Sequence, residues 1–438
     1  MKIKHLEILN FKGIKEASFD FSGQFNLIIG DNGSGKTSVL EAATVALGAF
    51  LSGIDGVASN HFTTDEIRRV RELIGQGSVN TVYEMPIKVT CDLEIGGEVY
   101  HFVRQKKSLS SSRTTVEPRN VCHTAAAMAA SSDAILPVLS YQSFARIAAQ
   151  KKDKWTNVFG KENDFSRVVG YTDCFADAAN TKMLTNWCQR MDYISYQREE
   201  KIAEYEAVKA AVSNFITAIN DITPAPNMPK LLYDKREEEL MFDDGGSRLP
   251  VRLLSAGYRT LIGMVSDIAF RMAVLNPALG DAIVQETPGI VLIDEIDMHL
   301  HPKWQWRIVS ALKSTFPNVQ FIVTTHSPLV ISSSQNENLI YMDATRDGIS
   351  IKQEESFKGW QVNDVLTHVM DSTERDPDTI KMLKQLEFLA YKRLKKEATE
   401  ADIAQYEKLR AELSALLPET DLSIDMAGYY SFAENLKD

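Results

Sequence analysis

Gly30, Gly33 and Gly35 are interleaved with Asp31, Asn32 and Ser34, and Lys36, Thr37 and Ser38 follow. This is the G-x-x-x-x-G-K-[ST] spacing, in which glycine backbone N–H groups converge on phosphate oxygens and a lysine reaches the terminal phosphates. Gly30, Asn32, Gly33, Ser34, Gly35, Lys36, Thr37 and Ser38 are therefore expected to bind ATP, with the Thr37 hydroxyl on Mg²⁺. A second set lies far along the chain. Asp294 and Glu295 end the apolar run that starts at Gly289. The first carboxylate suits Mg²⁺, and the second suits a proton taken from attacking water. His326 follows another apolar run and is placed to contact a γ-phosphate. Ser255 and Gly257 open a long helical segment, whose N-terminus can bind an anion, although ordinary capping by Ser255 explains the same residues. Gln142, at a strand end, suits a Mg²⁺ ligand, a group that positions water, or a solvated side chain, and Arg146 follows shortly after. Phe11 and Lys12 lie just upstream of the glycine loop, where an aromatic ring and a cation could meet adenine and phosphate; Phe11 equally fits the core.

The elements that must position these groups follow from pattern. Residues 25–29 read as a buried strand, and 38–47 as an amphipathic helix after the loop. Residues 2–9 and 17–21 read as strands joined by a turn, and 48–80 as surface loop around one short helix at 64–74. Residues 82–95 and 98–104 form strands hinged at Gly96 and Gly97. A helix is expected at 125–134 and a buried strand at 136–141. Trp187, Met191, Ile194, Tyr205, Val208, Val212, Phe215 and Ile219 make an apolar helical stripe in an insert too short for a long coiled-coil arm. Residues 231–242 and 248–253 read as a strand pair, and 259–275 as a helix. Past 340–342, an expected edge strand, the tail holds helices at 362–370, 379–396 and 402–417, the last two paired as a hairpin. The expected division is an N-terminal lobe at 1–150, a helical insert at 151–229, a C-terminal lobe at 230–345 and a helical region at 346–438.

The formal net charge of -11 argues against a coat of nucleic acid, and the short basic run of Arg104, Lys106 and Lys107 reads as a solvated hairpin rim. No stretch reaches the roughly 18 apolar residues of a transmembrane helix, and residues 1–5 carry no signal-peptide core. Cys91, Cys122, Cys174 and Cys188 lack metal-binding spacing. The expectation is a cytoplasmic protein with reduced, structural thiols. Trp304 and Trp306 read as packing residues, Asp376-Pro377-Asp378 as a helix start, and a zinc site on His299, His301 and His326 is disfavoured. No nuclease cluster stands out, so any cleavage is assigned to another chain.

In order, NFKGI, GDNGSGKT, LLSAGYR, GIVLIDEIDMHLHP and TTHSP resemble the ABC-type ATPases of the SMC and RecF class over about three-quarters of the chain. The resemblance implies an α/β head with a mixed sheet, an antiparallel subdomain, a short helical insert and C-terminal helices. It also implies a split ATP site: Lys36, Thr37, Asp294, Glu295 and His326 on one subunit, Ser255 and Gly257 from its partner, and Asp297 in the loop between them. Gln142 matches the Mg²⁺-sensing glutamine. The layout is most similar to compact ATPases of bacterial anti-phage defence, especially the Septu type, which assemble with a separate HNH nuclease. The implied function is a sensor or regulator of such a nuclease; the alternative is a DNA-repair ATPase that clamps DNA directly. A transporter motor fits the signature less well.

Overall fold

Strands covered on both faces must be apolar nearly throughout, and the runs beside the motifs are. The computed structural model describes residues 1–74, 78–111, 113–143, 166–176, 181–221, 228–334, 337–345, 348–354, 357 and 359–426. It divides into two units, Met1–Trp360 and Gln361–Asp438. The first unit begins with β1 (Lys2–Phe11), β2 (Ile14–Asp20), β3 (Phe25–Gly30), α1 (Lys36–Leu51), β4 (Arg69–Ile74) and β5 (Ser78–Tyr83). Then come β6 (Ile87–Ile95), β7 (Glu98–Lys106), β8 (Thr115–Glu117), α2 (Asn120–Ala130) and β9 (Val138–Gln142). The insert contributes α3 (Thr181–Arg198) and α4 (Ala203–Asn220). After it run β10 (Lys230–Asp234), β11 (Glu239–Asp243), β12 (Arg248–Pro250), α5 (Ala256–Leu275), β13 (Gly289–Ile293), α6 (Ile308–Thr315), β14 (Val319–Thr324), β15 (Asn338–Thr345) and β16 (Gly348–Glu354).

The central sheet has the order β16-β15-β3-β14-β13-β9. All its pairs are parallel except β15 with β16. The C-terminal ends of β3, β14 and β13 therefore share one edge, where open α/β sheets place ligands. A second, antiparallel sheet runs β2-β1-β6-β7-β8. The Gln320 side chain joins the two sheets: it accepts from the Ile3 N–H at 2.8 Å and donates to the Ile3 and Ser22 carbonyls at 2.8 and 2.7 Å.

Helix α1 touches strands of both sheets. Its residues from Val39 to Leu51 are buried on every side except at Glu41. The expected amphipathic helix is thus a helix apolar all round, and its run of alanines and Gly48 lets two sheets close on it. Arg104, expected on a solvated rim, is wholly buried here: its guanidinium donates to the Val45 and Asn60 carbonyls, and burial pushes its pKa down to about 10. Carbonyls of α1 and its following loop thus pair the terminal Nη1, while the buried Nε has no hydrogen-bond partner among the described residues.

Residues 69–74 and 78–83 pair as the antiparallel strands β4 and β5 in place of the helix expected at 64–74. The spacing of Ile67 and Val70 suits either form; the antiparallel partner decides. Residues 230–250 form three strands, because the charged stretch 235–238 turns the chain between β10 and β11. Strand β15 lies inside the sheet, and β16 takes the edge. That pairing carries the first unit to Trp360, past the boundary expected at 345. In the insert, Trp187 meets Tyr205 and Phe270 edge-on at 5.8 and 5.4 Å, which seats α3 on α4 and α5. The four cysteines are buried.

The second unit holds α7 (Val362–His368), α8 (Pro377–Leu394) and α9 (Glu400–Leu416). Helices α8 and α9 pair as expected around Leu386, Leu409 and Leu413. The Asp376 carboxylate caps α8 by accepting from the Asp378 and Thr379 N–H groups.

Candidate functional site

The glycine loop joins β3 to α1. Gly30 is required by close approach: a Cβ there would lie 2.0 Å from the Met342 carbonyl oxygen. Gly33 and Gly35 have φ of 83° and 94°, the left-handed region. Gly35 caps α1 with no side chain, so the first N–H groups of α1 are left for a ligand. Ser34 is fully buried behind the loop, and its Oγ has no hydrogen-bond partner among the described residues. The Lys36 ammonium donates to the Gly30 and Asp31 carbonyls at 2.9 and 2.8 Å. Burial lowers its pKa, against the carboxylates of Asp294 and Asp31.

A pocket of about 290 Å³ opens at this sheet edge. Asn32, Gly33, Gly35, Lys36, Thr37 and Ser38 line it from the loop, and Asp294, Glu295 and His326 face them. The Thr37 hydroxyl donates to the Asp294 carboxylate at 2.9 Å, although the two residues are 257 positions apart. Asp294 is fixed in turn by its own N–H, which donates to the Gln142 carbonyl at 2.8 Å. Glu295 has φ 53° and His299 φ 62°, so the chain leaves β13 through a tight, left-handed turn. Asp297 accepts from the Thr325 hydroxyl and the His326 N–H at 2.5 and 3.2 Å, tying that turn to the end of β14.

Thr324 and Gly13 also line the pocket; both lie in quoted motifs, TTHSP and NFKGI, but sequence pattern gave neither a role of its own. Thr324 reads as one more strand residue; its signal is the hydroxyl it places at the end of an otherwise apolar run.

Other expected site residues lie elsewhere. Phe11 is buried against Phe62, its core reading. The Lys12 ammonium bonds the Glu41 carboxylate and does not line the pocket. The Gln142 amide donates to Ser140 Oγ and Asp267 Oδ2, both at 2.8 Å, which turns it onto α5 and off the pocket wall. Arg146 lies outside the described residues. Ser255 is exposed and caps α5, and neither it nor Gly257 lines the pocket of its own chain. Gly257 packs on the turn after Glu295: a Cβ there would sit 2.8 Å from the His299 carbonyl oxygen and 3.0 Å from the Trp304 ring. Trp304 is a packing residue that donates to Asn220 at 2.8 Å; Trp306 is 44% exposed.

The donor set fits a magnesium–triphosphate. One hydroxyl and one carboxylate supply the hard oxygens the cation takes, and a lysine and open helix N–H groups face the anion. The family model for the RecF/RecN/SMC N terminal domain matches residues 2–351. The chain belongs to that family. This RecF/RecN/SMC-type chain is 27% identical to the retron Vc95 probable ATPase of Vibrio cholerae serotype O1 biovar El Tor, over 77% of this chain and 73% of that protein. It is 25% identical to the Septu protein PtuA of Bacillus thuringiensis over 93% of each chain. The SMC head domain from Thermotoga maritima aligns with 81% of this chain and all of its own, at a TM-score of 0.45 and 17% identity. The architecture read from the motifs, an ABC-type α/β head with mixed and antiparallel sheets, is the one observed. No helix among the described residues is long and apolar enough to cross a membrane.

Proposed function

We propose that this chain hydrolyses ATP in two sites shared by a head-to-head pair of copies, and that the pair regulates a separate nuclease, of HNH type, in anti-phage defence. The observation that supports this most is the division of the ATP motifs. Lys36, Thr37, Asp294, Glu295 and His326 line one pocket, whereas exposed Ser255 does not line it and is left for a second copy. The relatives named retron and Septu proteins support the defence role over the repair role.

In this reading Lys36 exchanges its two loop carbonyls for phosphate oxygens, and the open N–H groups of α1 take the others. The Thr37 hydroxyl and the Asp294 carboxylate would hold Mg²⁺, which would supply charge against the phosphates. Glu295 accepts a proton from the attacking water, and His326 contacts the γ-phosphate. Ser255 and Gly257 of the partner close the site. Lys12 and Gln142 join only by giving up Glu41 and Asp267 respectively, so both act late or in another state of the protein.

The test is to measure mass and steady-state phosphate release with and without ATP, for the chain alone and with the products of neighbouring genes. ATP-dependent pairing, Mg²⁺-dependent release and co-purification of a nuclease are expected. A strictly monomeric protein with full turnover overturns the shared site. Salt-dependent binding of duplex DNA by the isolated chain instead favours the repair ATPase.

A further inference from the structure

Thr324 opens the TTHSP motif, but the roles read from the ATP motifs leave it without one. It is the last residue of β14, between β3 and β13, and is wholly buried from solvent while its side chain reaches the pocket. A hydroxyl has one proton to give and lone pairs to accept with. Thr324 Oγ1 gives its proton to Asp294 Oδ1 at 2.6 Å and accepts the Glu295 N–H at 2.8 Å. Its carbonyl accepts the Ile296 N–H at 3.0 Å. One residue thus holds three successive positions of the turn that carries both carboxylates.

We infer that Thr324 is a positioning residue for the metal and the water-activating carboxylate. This rests on the ATPase reading and extends it to a motif residue to which that reading gives no role. With Oδ1 of Asp294 bonded to Thr324, the carboxylate plane is set, and Thr37 donates to that carboxylate at 2.9 Å to Oδ2 and 3.1 Å to Oδ1. The same hydroxyl anchors the Glu295 peptide in its left-handed conformation, φ 53°, which an ordinary side chain rarely adopts without support. Valine at this position keeps the shape and removes both bonds. Asp294 Oδ1 then loses its 2.6 Å partner, so the carboxylate keeps its bond to Thr37 with less to fix its plane, and a backbone N–H loses its partner. Serine restores the hydroxyl and loses only a methyl group.

The test compares wild type, Thr324→Val and Thr324→Ser by equilibrium binding of a fluorescent ATP analogue across a Mg²⁺ titration and in EDTA, with circular dichroism as the check on folding. The expected result is a Mg²⁺ midpoint raised about tenfold in Thr324→Val, metal-free binding within about twofold of wild type, and a midpoint in Thr324→Ser within about twofold of wild type. A Thr324→Val midpoint equal to wild type overturns the inference alone. So does a Thr324→Ser midpoint raised as far as expected for valine, which also decides the matter should the valine variant fail to fold. Absence of Mg²⁺-dependent binding in wild type overturns the ATPase reading and this inference together.

Discussion

The left-handed backbone at Glu295 is a local cost of about 1–2 kcal/mol for a residue with a Cβ. It aims the carboxylate into the pocket beside Asp294, where a general base contributes roughly 10²-fold or more to rate. Glu295→Gln keeps the shape and takes no proton. Turnover is expected to fall about 100-fold with ATP binding retained, as read by phosphate release beside nucleotide titration; equal turnover in both proteins removes Glu295 from the role of base. At this scale the sequence was legible where spacing itself carries the chemistry, as at Lys36 and Thr37. It was not legible for side chains whose partners come from distant segments. Arg104 looks like one of three surface cations, and only the fold brings the Val45 and Asn60 carbonyls to it. Gln142 looks poised for a metal, and only the fold brings Asp267.

Helix α5 carries a buried polar cluster around Asp267 and Arg271. Asp267 Oδ2 accepts from Gln142, Ser140 and, at 3.0 Å, from Arg271 Nε. Arg271 is 1% exposed and also donates to the Gly170 and Thr172 carbonyls. Removing one partner of a buried ion pair strands the other charge. Asp267→Ala is therefore expected to destabilise the first unit by about 3–5 kcal/mol, measured as a lower denaturation midpoint. A loss below about 1 kcal/mol would show that solvent reaches the guanidinium after all. Strands β3, β13 and β14 were readable because each holds an uninterrupted run of at least three apolar residues and leads into a residue with chemistry of its own. The β4–β5 pair was not, because its few apolar positions fit a helix as well as a strand and pairing decides between them. The turn between β10 and β11 was missed for a related reason: it holds charged residues without glycine or proline.

The division at Trp360 makes the whole molecule two units that each hold their own core. A chain ending at Trp360 is expected to keep nucleotide binding within about twofold of full length, checked by the same titration; loss of binding would make the tail part of the site. For the shared pocket, Lys36→Ala and Ser255→Arg proteins are each expected to be inactive, and their mixture to regain activity. In a mixed pair one pocket receives both defects and the other receives none. A mixture no more active than its parents places Ser255 outside the partner's pocket.

Gly257 lies against the His299 carbonyl of its own chain, at the end of α5 that presents Ser255 outward. In a facing pair, the turn beside one pocket would then be in touch with the helix that completes the other. In such a pair, filling either pocket would bias its neighbour, and the dependence of hydrolysis on ATP concentration is expected to be sigmoidal rather than hyperbolic, with Gly257→Ala, if it folds, weakening that cooperativity.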